Sequence, residues 1–224
     1  MMRRPDSTEY LFFDLDGTLT DPSEGITSGV RHALGCFGIR EEDGRKLLRF
    51  IGPPLRESFM TFYGFSRDDA QEAIARFQEY YAPIGVLQNT PYEGMRELLA
   101  DLKAAGRKLV LATSKPEIFA RQILERFGMA ESFALIAGGD VEETRVDKAE
   151  VIAYALEGLG VKQQLDAFMV GDRSYDVAGA ARHGMPTVGV AYGFGTREEL
   201  EKAGASAVVA SVDELRSVLM GRGR

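Results

Sequence analysis

Asp14 and Asp16 stand one residue apart at the end of an apolar run, Tyr10-Leu11-Phe12-Phe13, and are followed by Gly17 and Thr18. Two carboxylates leaving a strand end on a backbone that turns at a glycine suit two kinds of chemistry. They can hold a hard divalent cation through oxygen ligands. They can also divide labour, one attacking as a nucleophile while the other moves protons. Asp and Gly are ordinary turn residues as well, so a plain strand-end turn would use the same types.

The pattern recurs at Ala167-Phe168-Met169-Val170-Gly171-Asp172, where an apolar run again ends in Gly-Asp and Asp176 follows four residues on. Asp172 could cap a helix starting there, or it could complete a metal site with Asp14 and Asp16. A third run, Leu109-Val110-Leu111-Ala112, leads into Thr113-Ser114-Lys115-Pro116-Glu117. Ser114 and Glu117 have capping-box spacing. A hydroxyl beside the free amides of a helix N-terminus is equally a phosphate cradle. Lys148 opens a further helical pattern, where a cation opposes the helix dipole. A solvated surface lysine and a charge serving a site both fit that position.

These groups need a scaffold that gathers strand ends. From about Arg107 onward, short apolar runs alternate with amphipathic stretches. Strands are expected at Lys108–Ala112, Phe133–Ala137, Ala167–Val170, Thr187–Ala191 and Ala207–Ala210. Helices are expected at Pro116–Phe127, Lys148–Leu159, Ser174–His183 and after Ser211. Continuously apolar strands separated by helices are covered on both faces, which implies an α/β fold with a doubly wound, Rossmann-like parallel sheet. Tyr10–Phe13 is a strand of the same kind. The chain then turns helical, with apolar spacing at Ile26–Phe37, Glu41–Phe50, Leu55–Tyr63 and Asp68–Tyr80 and breakers at Gly38, Gly52-Pro53-Pro54 and Gly64-Phe65-Ser66. Residues 21–88 therefore read as a helical insertion into a core made of residues 1–20 and 89–224. Pro91–Ala105 returns the chain to the sheet. An insertion so placed would stand over the C-terminal ends of the strands, where open α/β sheets bind ligands.

The bulk composition narrows the function classes. The chain has 224 residues, a formal net charge of -7 and 45 % hydrophobic residues, enough for a packed core. The acidic balance argues against binding a nucleic acid polymer, which needs clustered Lys and Arg, yet a bound metal could still supply local positive charge for a phosphate. The single cysteine, Cys36, allows no internal disulfide and fits a reducing cytoplasmic location. Residues 1–10 are polar and resemble neither a signal peptide nor an anchor, and no apolar stretch is long enough for a membrane span. Nothing in the sequence specifies an oligomeric state.

Taken in order, Asp14-Leu15-Asp16-Gly17-Thr18, Thr113, Lys148 and Gly171-Asp172 with Asp176 resemble the four motifs of the haloacid dehalogenase superfamily of phosphatases. The likeness runs from about Tyr10 to Leu219. The helical insertion resembles that family's cap, and the whole is similar to its phosphoglycolate-phosphatase-like branch, including 5'-nucleotidase-like relatives. Lys148 is followed by Ala149 where many relatives carry Pro.

The resemblance implies a chemistry. Asp14 would attack phosphorus and form an acyl phosphate, and Asp16 would act as general acid and then general base. Mg²⁺ would be held by Asp14, Asp172 and the backbone carbonyl of Asp16, with Asp176 in the outer shell or orienting Lys148. Thr113 and Lys148 would stabilise the phosphoryl group, and Gly17, Thr18 and Ser114 would join in substrate binding. The substrate expected is a small phosphorylated metabolite, phosphoglycolate-like or a nucleoside 5'-monophosphate. In the insertion, Arg49, Gly52 and Arg56 could meet it. Arg49 or Arg56 suits a carboxylate or second phosphate, though a helix-breaking connector and solvated helix faces use the same residues. An acid at position 16 disfavours dehalogenation. A sugar-phosphate mutase keeps both acids, although Phe50-Ile51-Gly52-Pro53-Pro54-Leu55 does not look like the mutase cap signature. A phosphonate hydrolase would need a cap lysine, for which Lys46 is the one candidate. From another class, a phospho-accepting receiver would have to use Asp140.

Overall fold

The strands that carry the acids are apolar throughout because they are covered on both faces. In the computed structural model, β1 (Tyr10–Phe13) is buried at every residue, as is β6 (Ala167–Gly171). The structure describes residues 4–141, 144–160 and 166–221. Its chain divides into two compact units, Met1–Asp21 with Pro91–Arg224, and Pro22–Thr90.

The first unit is a six-stranded parallel sheet flanked by helices. After β1 come two-residue strands β2 (Thr20–Asp21) and β3 (Thr90–Pro91), then β4 (Lys108–Pro116), β5 (Phe133–Gly139), β6, β7 (Thr187–Val190) and β8 (Ala207–Val209). The strand order is β5-β4-β1-β6-β7-β8. β4 and β5 follow on one side of β1 and β6, β7 and β8 on the other, which leaves β1 beside both β4 and β6. That reversal is the switch point at which such sheets open a crevice. Register brings the motifs level: Phe13 lies beside Leu111 of β4 and Val170 of β6. Asp14 therefore stands next to the ends of both neighbours, and its amide donates to the Val170 carbonyl at 3.0 Å.

The expected strands and helices of this unit form, with shifts of a few residues. The returning helix, α5 (Met95–Ala104), begins later than expected, at Met95 rather than Pro91. A helix at Arg197–Ala203, started by Thr196 accepting from the Glu199 amide, had no counterpart in the apolar pattern because it buries only Leu200. β4 carries an irregularity that matters for the site. Ala112 pairs with Ala137 and Pro116 with Gly139, so β4 spends four residues where β5 spends two. The bulge at Thr113–Lys115 turns side chains that a regular strand would aim elsewhere.

The second unit consists of α1 (Ser23–Cys36), α2 (Gly44–Leu48), α3 (Leu55–Tyr63), α4 (Arg67–Tyr81) and a single 3₁₀ turn at Gly85–Leu87. Asp43 caps α2 by accepting from the Arg45 amide, which starts that helix after Glu41. Gly64 ends α3 in the left-handed region, and a reciprocal Ser66–Asp69 capping box starts α4. Phe50, Phe59, Phe62, Tyr63 and Phe65 pack ring against ring around the α2–α3 connection.

Candidate active site

Asp14 and Asp16 follow β1, and the turn after them depends on Gly17. Its φ is +82°, and a Cβ built there would fall 2.1 Å from Oδ2 of Asp172. Only a residue without a side chain lets the two strand-end loops approach so closely. The turn is closed by Gly17 N–H donating to the Thr20 carbonyl at 2.8 Å, and Tyr192 Oη donates to the Thr18 carbonyl at 2.9 Å. Thr18 is fully buried.

Carboxylate oxygens of Asp14, Asp172 and Asp176 lie within 4.8 Å of one another, and all three residues are buried. Lys148 Nζ sits 2.8 Å from Oδ1 of Asp14 and 2.8 Å from Oδ1 of Asp176, and it donates to the Ala112 carbonyl at 3.0 Å. Lys148 is thus no surface lysine. Asp147 caps its helix, α7 (Lys148–Gly158), by accepting from the amides of Ala149 and Glu150. That cap leaves the lysine free to point into the site despite the helix dipole.

Two of the local alternatives left open by the sequence do not form. Asp172 does not cap the helix after β6. It accepts from the amide of Phe194 at 2.8 Å, and Asp176 instead accepts from the amide of Arg173 at the start of α8 (Ser174–Ala181). The Ser114–Glu117 capping box does not form either. β4 continues to Pro116, and α6 (Glu117–Arg126) starts without a side-chain cap. Thr113 is buried, and its hydroxyl accepts from the Lys115 amide at 3.3 Å across the bulge.

Lys115, which the sequence pattern did not single out, forms an ion pair with Oδ2 of Asp16 at 2.7 Å. The Asp16 side chain therefore turns to Lys115, and the carboxylate cluster consists of the other three acids. The Tyr192-Gly193-Phe194-Gly195 loop, which holds Asp172 and the Thr18 turn, was likewise not anticipated. Its one sequence signal is a Gly-Phe-Gly run just beyond a strand.

The electrostatics follow from burial. Burial, then repulsion from Asp176 and Asp14, raises the Asp172 carboxyl well above its ordinary range. Burial pushes Asp176 up to about 6, against the opposing pull of Lys148. Burial alone would lower Lys148, but the carboxylates of Asp14 and Asp176 outweigh it and keep the ammonium charged. Burial raises Asp16 too, and Lys115 offsets this only in part.

Three carboxylates against one ammonium leave a formal charge of minus two, and Oδ1 of Asp172 is buried with no hydrogen-bond partner among the described residues. A crowded, oxygen-only, doubly negative cluster fits a hard divalent cation. Asp140 accepts from the amides of Thr144 and Arg145 at 2.6 and 3.1 Å, so its carboxylate closes its own loop. In the helical unit, the Arg49 guanidinium lies 4.1 Å from the centre of the Phe62 ring, Arg56 donates to Gln71 at 2.7 Å, and Gly52 has a positive φ. No helix among the described residues is long and apolar enough to cross a membrane.

Comparison with known proteins agrees with this geometry. The family model for haloacid dehalogenase-like hydrolases matches residues 11–190. A 5'-nucleotidase of Pseudomonas aeruginosa is 42 % identical over 209 residues, covering 93 % of this chain and 94 % of its own. The tyrosine-protein kinase PtkA of Mycobacterium tuberculosis is 41 % identical over 217 residues, covering 96 % of this chain and 73 % of its own. The crystal structure of a predicted phosphatase from Clostridium acetobutylicum, 47 % identical, superposes with a TM-score of 0.90 over 94 % of this chain and 97 % of its own. The chain belongs to the haloacid dehalogenase-like hydrolases and is an enzyme of their phosphatase kind.

Proposed function

We propose that this enzyme is a Mg²⁺-dependent phosphatase that hydrolyses a small phosphate monoester through a phosphoaspartate on Asp14. The observation that carries the reading is the buried cluster of Asp14, Asp172 and Asp176, with one ammonium paired to Asp14 and Asp176 and a separately held acid, Asp16, two residues from the nucleophile. Asp14, Asp172 and the Asp16 carbonyl would hold the ion, with Asp176 orienting Lys148. Bound Mg²⁺ supplies positive charge against which a phosphate dianion can approach carboxylates.

The protein's own groups do the rest. A carboxylate oxygen of Asp14 attacks phosphorus as the P–O bond to the alkoxide breaks, and the Asp16 proton passes to the departing oxygen. Water then attacks the acyl phosphate and its proton returns to Asp16. The bond between phosphorus and Asp14 breaks, which restores the carboxylate and releases inorganic phosphate. Lys148 neutralises Asp14 and the phosphoryl oxygens, and Thr113, Ser114, Gly17 and Thr18 line the phosphate. Positioning and electrostatic stabilisation then account for most of the rate.

The substrate is a nucleoside 5'-monophosphate or a phosphoglycolate-like acid, chosen by the helical unit through Arg49, Gly52 and Arg56. The 5'-nucleotidase among the relatives supports the first. A panel of phosphate monoesters, assayed for released phosphate with and without Mg²⁺, tests the reading. Because one relative bears a kinase name, ATP with a tyrosine peptide belongs in the same panel. Labelling of the peptide without phosphate release from any monoester would overturn it.

A further inference from the structure

We propose that Lys115 is a positioning residue: it holds one oxygen of the Asp16 carboxyl so that the other faces the leaving group. The proposal rests on the reading of Asp16 as the general acid. Lys115 Nζ lies 2.7 Å from Oδ2 of Asp16, and the two side chains are only 6 % and 12 % exposed. The other oxygen, Oδ1, is buried and accepts no hydrogen bond from any described residue. A buried polar atom left without a partner is costly and calls for a reason. A proton destined for the departing alkoxide supplies one, since it must sit on the oxygen that Lys115 does not occupy.

The backbone shows how Lys115 gets there. In β4, the four-for-two mismatch between Ala112 and Pro116 places Thr113, Ser114 and Lys115 in the bulge. A strand in regular register would alternate these side chains between the two sheet faces. The bulge instead leaves the Thr113 hydroxyl accepting from the Lys115 amide while the Lys115 side chain spans to the β1 end. One irregularity thus serves two groups of the site. Acid catalysis needs the donor within hydrogen-bond reach of the departing oxygen, and the Asp16 side chain, just before the Gly17 turn, has two torsions to lose. The ion pair fixes both.

The step concerned is the first: the P–O bond to the leaving group breaks, and the Asp16 proton moves to that oxygen as the bond from Asp14 forms. Its contribution depends on how badly the leaving group needs a proton. A p-nitrophenolate departs without one, whereas an alkoxide does not.

The test is therefore kcat/KM, which reports phosphoryl transfer to Asp14 and not the later hydrolysis, measured over substituted phenyl phosphates and one small alkyl phosphate. Lys115→Met should lose about 10²-fold on the most basic leaving groups and little on p-nitrophenyl phosphate. Lys115→Arg should recover part of the loss. Asp16→Asn is the reference and should show the same dependence more steeply. An equal loss on every ester, or none, would overturn the proposal, because Lys115 would then act on the shared phosphoryl group or on nothing. If Asp16→Asn itself shows no leaving-group dependence, Asp16 is not the acid and both readings fall together. Dependence in Asp16→Asn without any in Lys115→Met would sink this proposal alone. Lys115→Gln, which keeps a donor without the charge, replaces Lys115→Met if the latter does not fold; folding is judged by an unchanged rise in Tm on adding Mg²⁺.

Discussion

Gly179 on α8 lies so close to Lys148 that a Cβ built on it would fall 2.7 Å from the Lys148 Cβ and 3.0 Å from the Ala149 nitrogen. The start of α7 and the middle of α8 meet here with no space for a methyl group, and the nearby His183 ring nitrogen contacts the Ala149 carbonyl at 2.8 Å. The ammonium that neutralises Asp14 is thus placed by a glycine on a different helix.

Gly179→Ala should therefore injure both stability and turnover. Overpacking at such a contact costs about 1–3 kcal/mol, and the shift falls on the stem of Lys148. Urea unfolding together with kcat on any accepted ester checks this. Ala178→Ser, exposed on the same helix, is the control and should stay within about 0.5 kcal/mol of the parent. If Gly179→Ala matches the parent in both measurements, the helix contact does not position Lys148.

Asp14→Asn should abolish turnover and leave the fold in place. An amide is isosteric with the carboxylate but cannot form the acyl phosphate. Circular dichroism and phosphate release, measured on the same preparation, decide it. Hydrolysis near the parent rate would remove Asp14 as nucleophile.

Chelation and pH should act through the same carboxylates. In the metal-free chain, burial raises Asp172 and takes Asp176 from 3.8 to about 6. Between those two values the folded state holds more protons at Asp176 than the unfolded state does. Its contribution to stability is therefore present at low pH and is lost as pH rises through about 6. Mg²⁺ competes with those protons. The rise in Tm on adding Mg²⁺ should be small near about pH 5 and larger near about pH 7.5. Activity should vanish in EDTA and return with Mg²⁺. Undiminished hydrolysis after dialysis against chelator, or a metal effect on Tm independent of pH, would count against the cluster as the metal site.

The acids themselves were legible because each ends an apolar run, and a parallel sheet aligns the ends of such runs. Asp14 and Asp172 needed no more than that. A contact between Asp176 and Lys148 was among the expectations, but only through the family resemblance, because it depends on two helices meeting at Gly179, which no periodicity records. Lys115 was hidden for a different reason. Ser114 and Glu117 have the spacing of a capping box, and local hydrogen bonding alone would form one. Pairing of Pro116 with Gly139 kept the segment in the sheet and made it a bulge. The Phe194 amide that holds Asp172 comes from backbone 22 residues downstream, and a backbone donor has no sequence signature. Tertiary pairing overrode local preference at each of these points.

The helical unit should govern which ester is accepted without supplying the chemistry, since all four motif groups lie in the other unit. Its two candidate arginines, Arg49 and Arg56, differ in setting. Arg56 already donates to Gln71, whereas the exposed Arg49 guanidinium lies over the Phe62 ring, an arrangement that fixes the plane of the group while leaving its edge able to donate. Arg49→Ala should therefore lower kcat/KM for substrates bearing a carboxylate or a second phosphate by about 1–3 kcal/mol, the worth of a charged hydrogen bond. Arg56→Ala should cost less, because the guanidinium would have to leave Gln71 to bind substrate. Neither should change p-nitrophenyl phosphate hydrolysis by more than a fraction of that amount, since this ester offers no second anion to read. The comparison is made on one panel at one Mg²⁺ concentration, so that only the ratio between substrates is interpreted. A uniform loss on every ester would put the arginines in the catalytic machinery. An unchanged ratio for both variants would show that the helical unit reads its ligand through other residues, with the Gly52-Pro53-Pro54 backbone the next segment to alter.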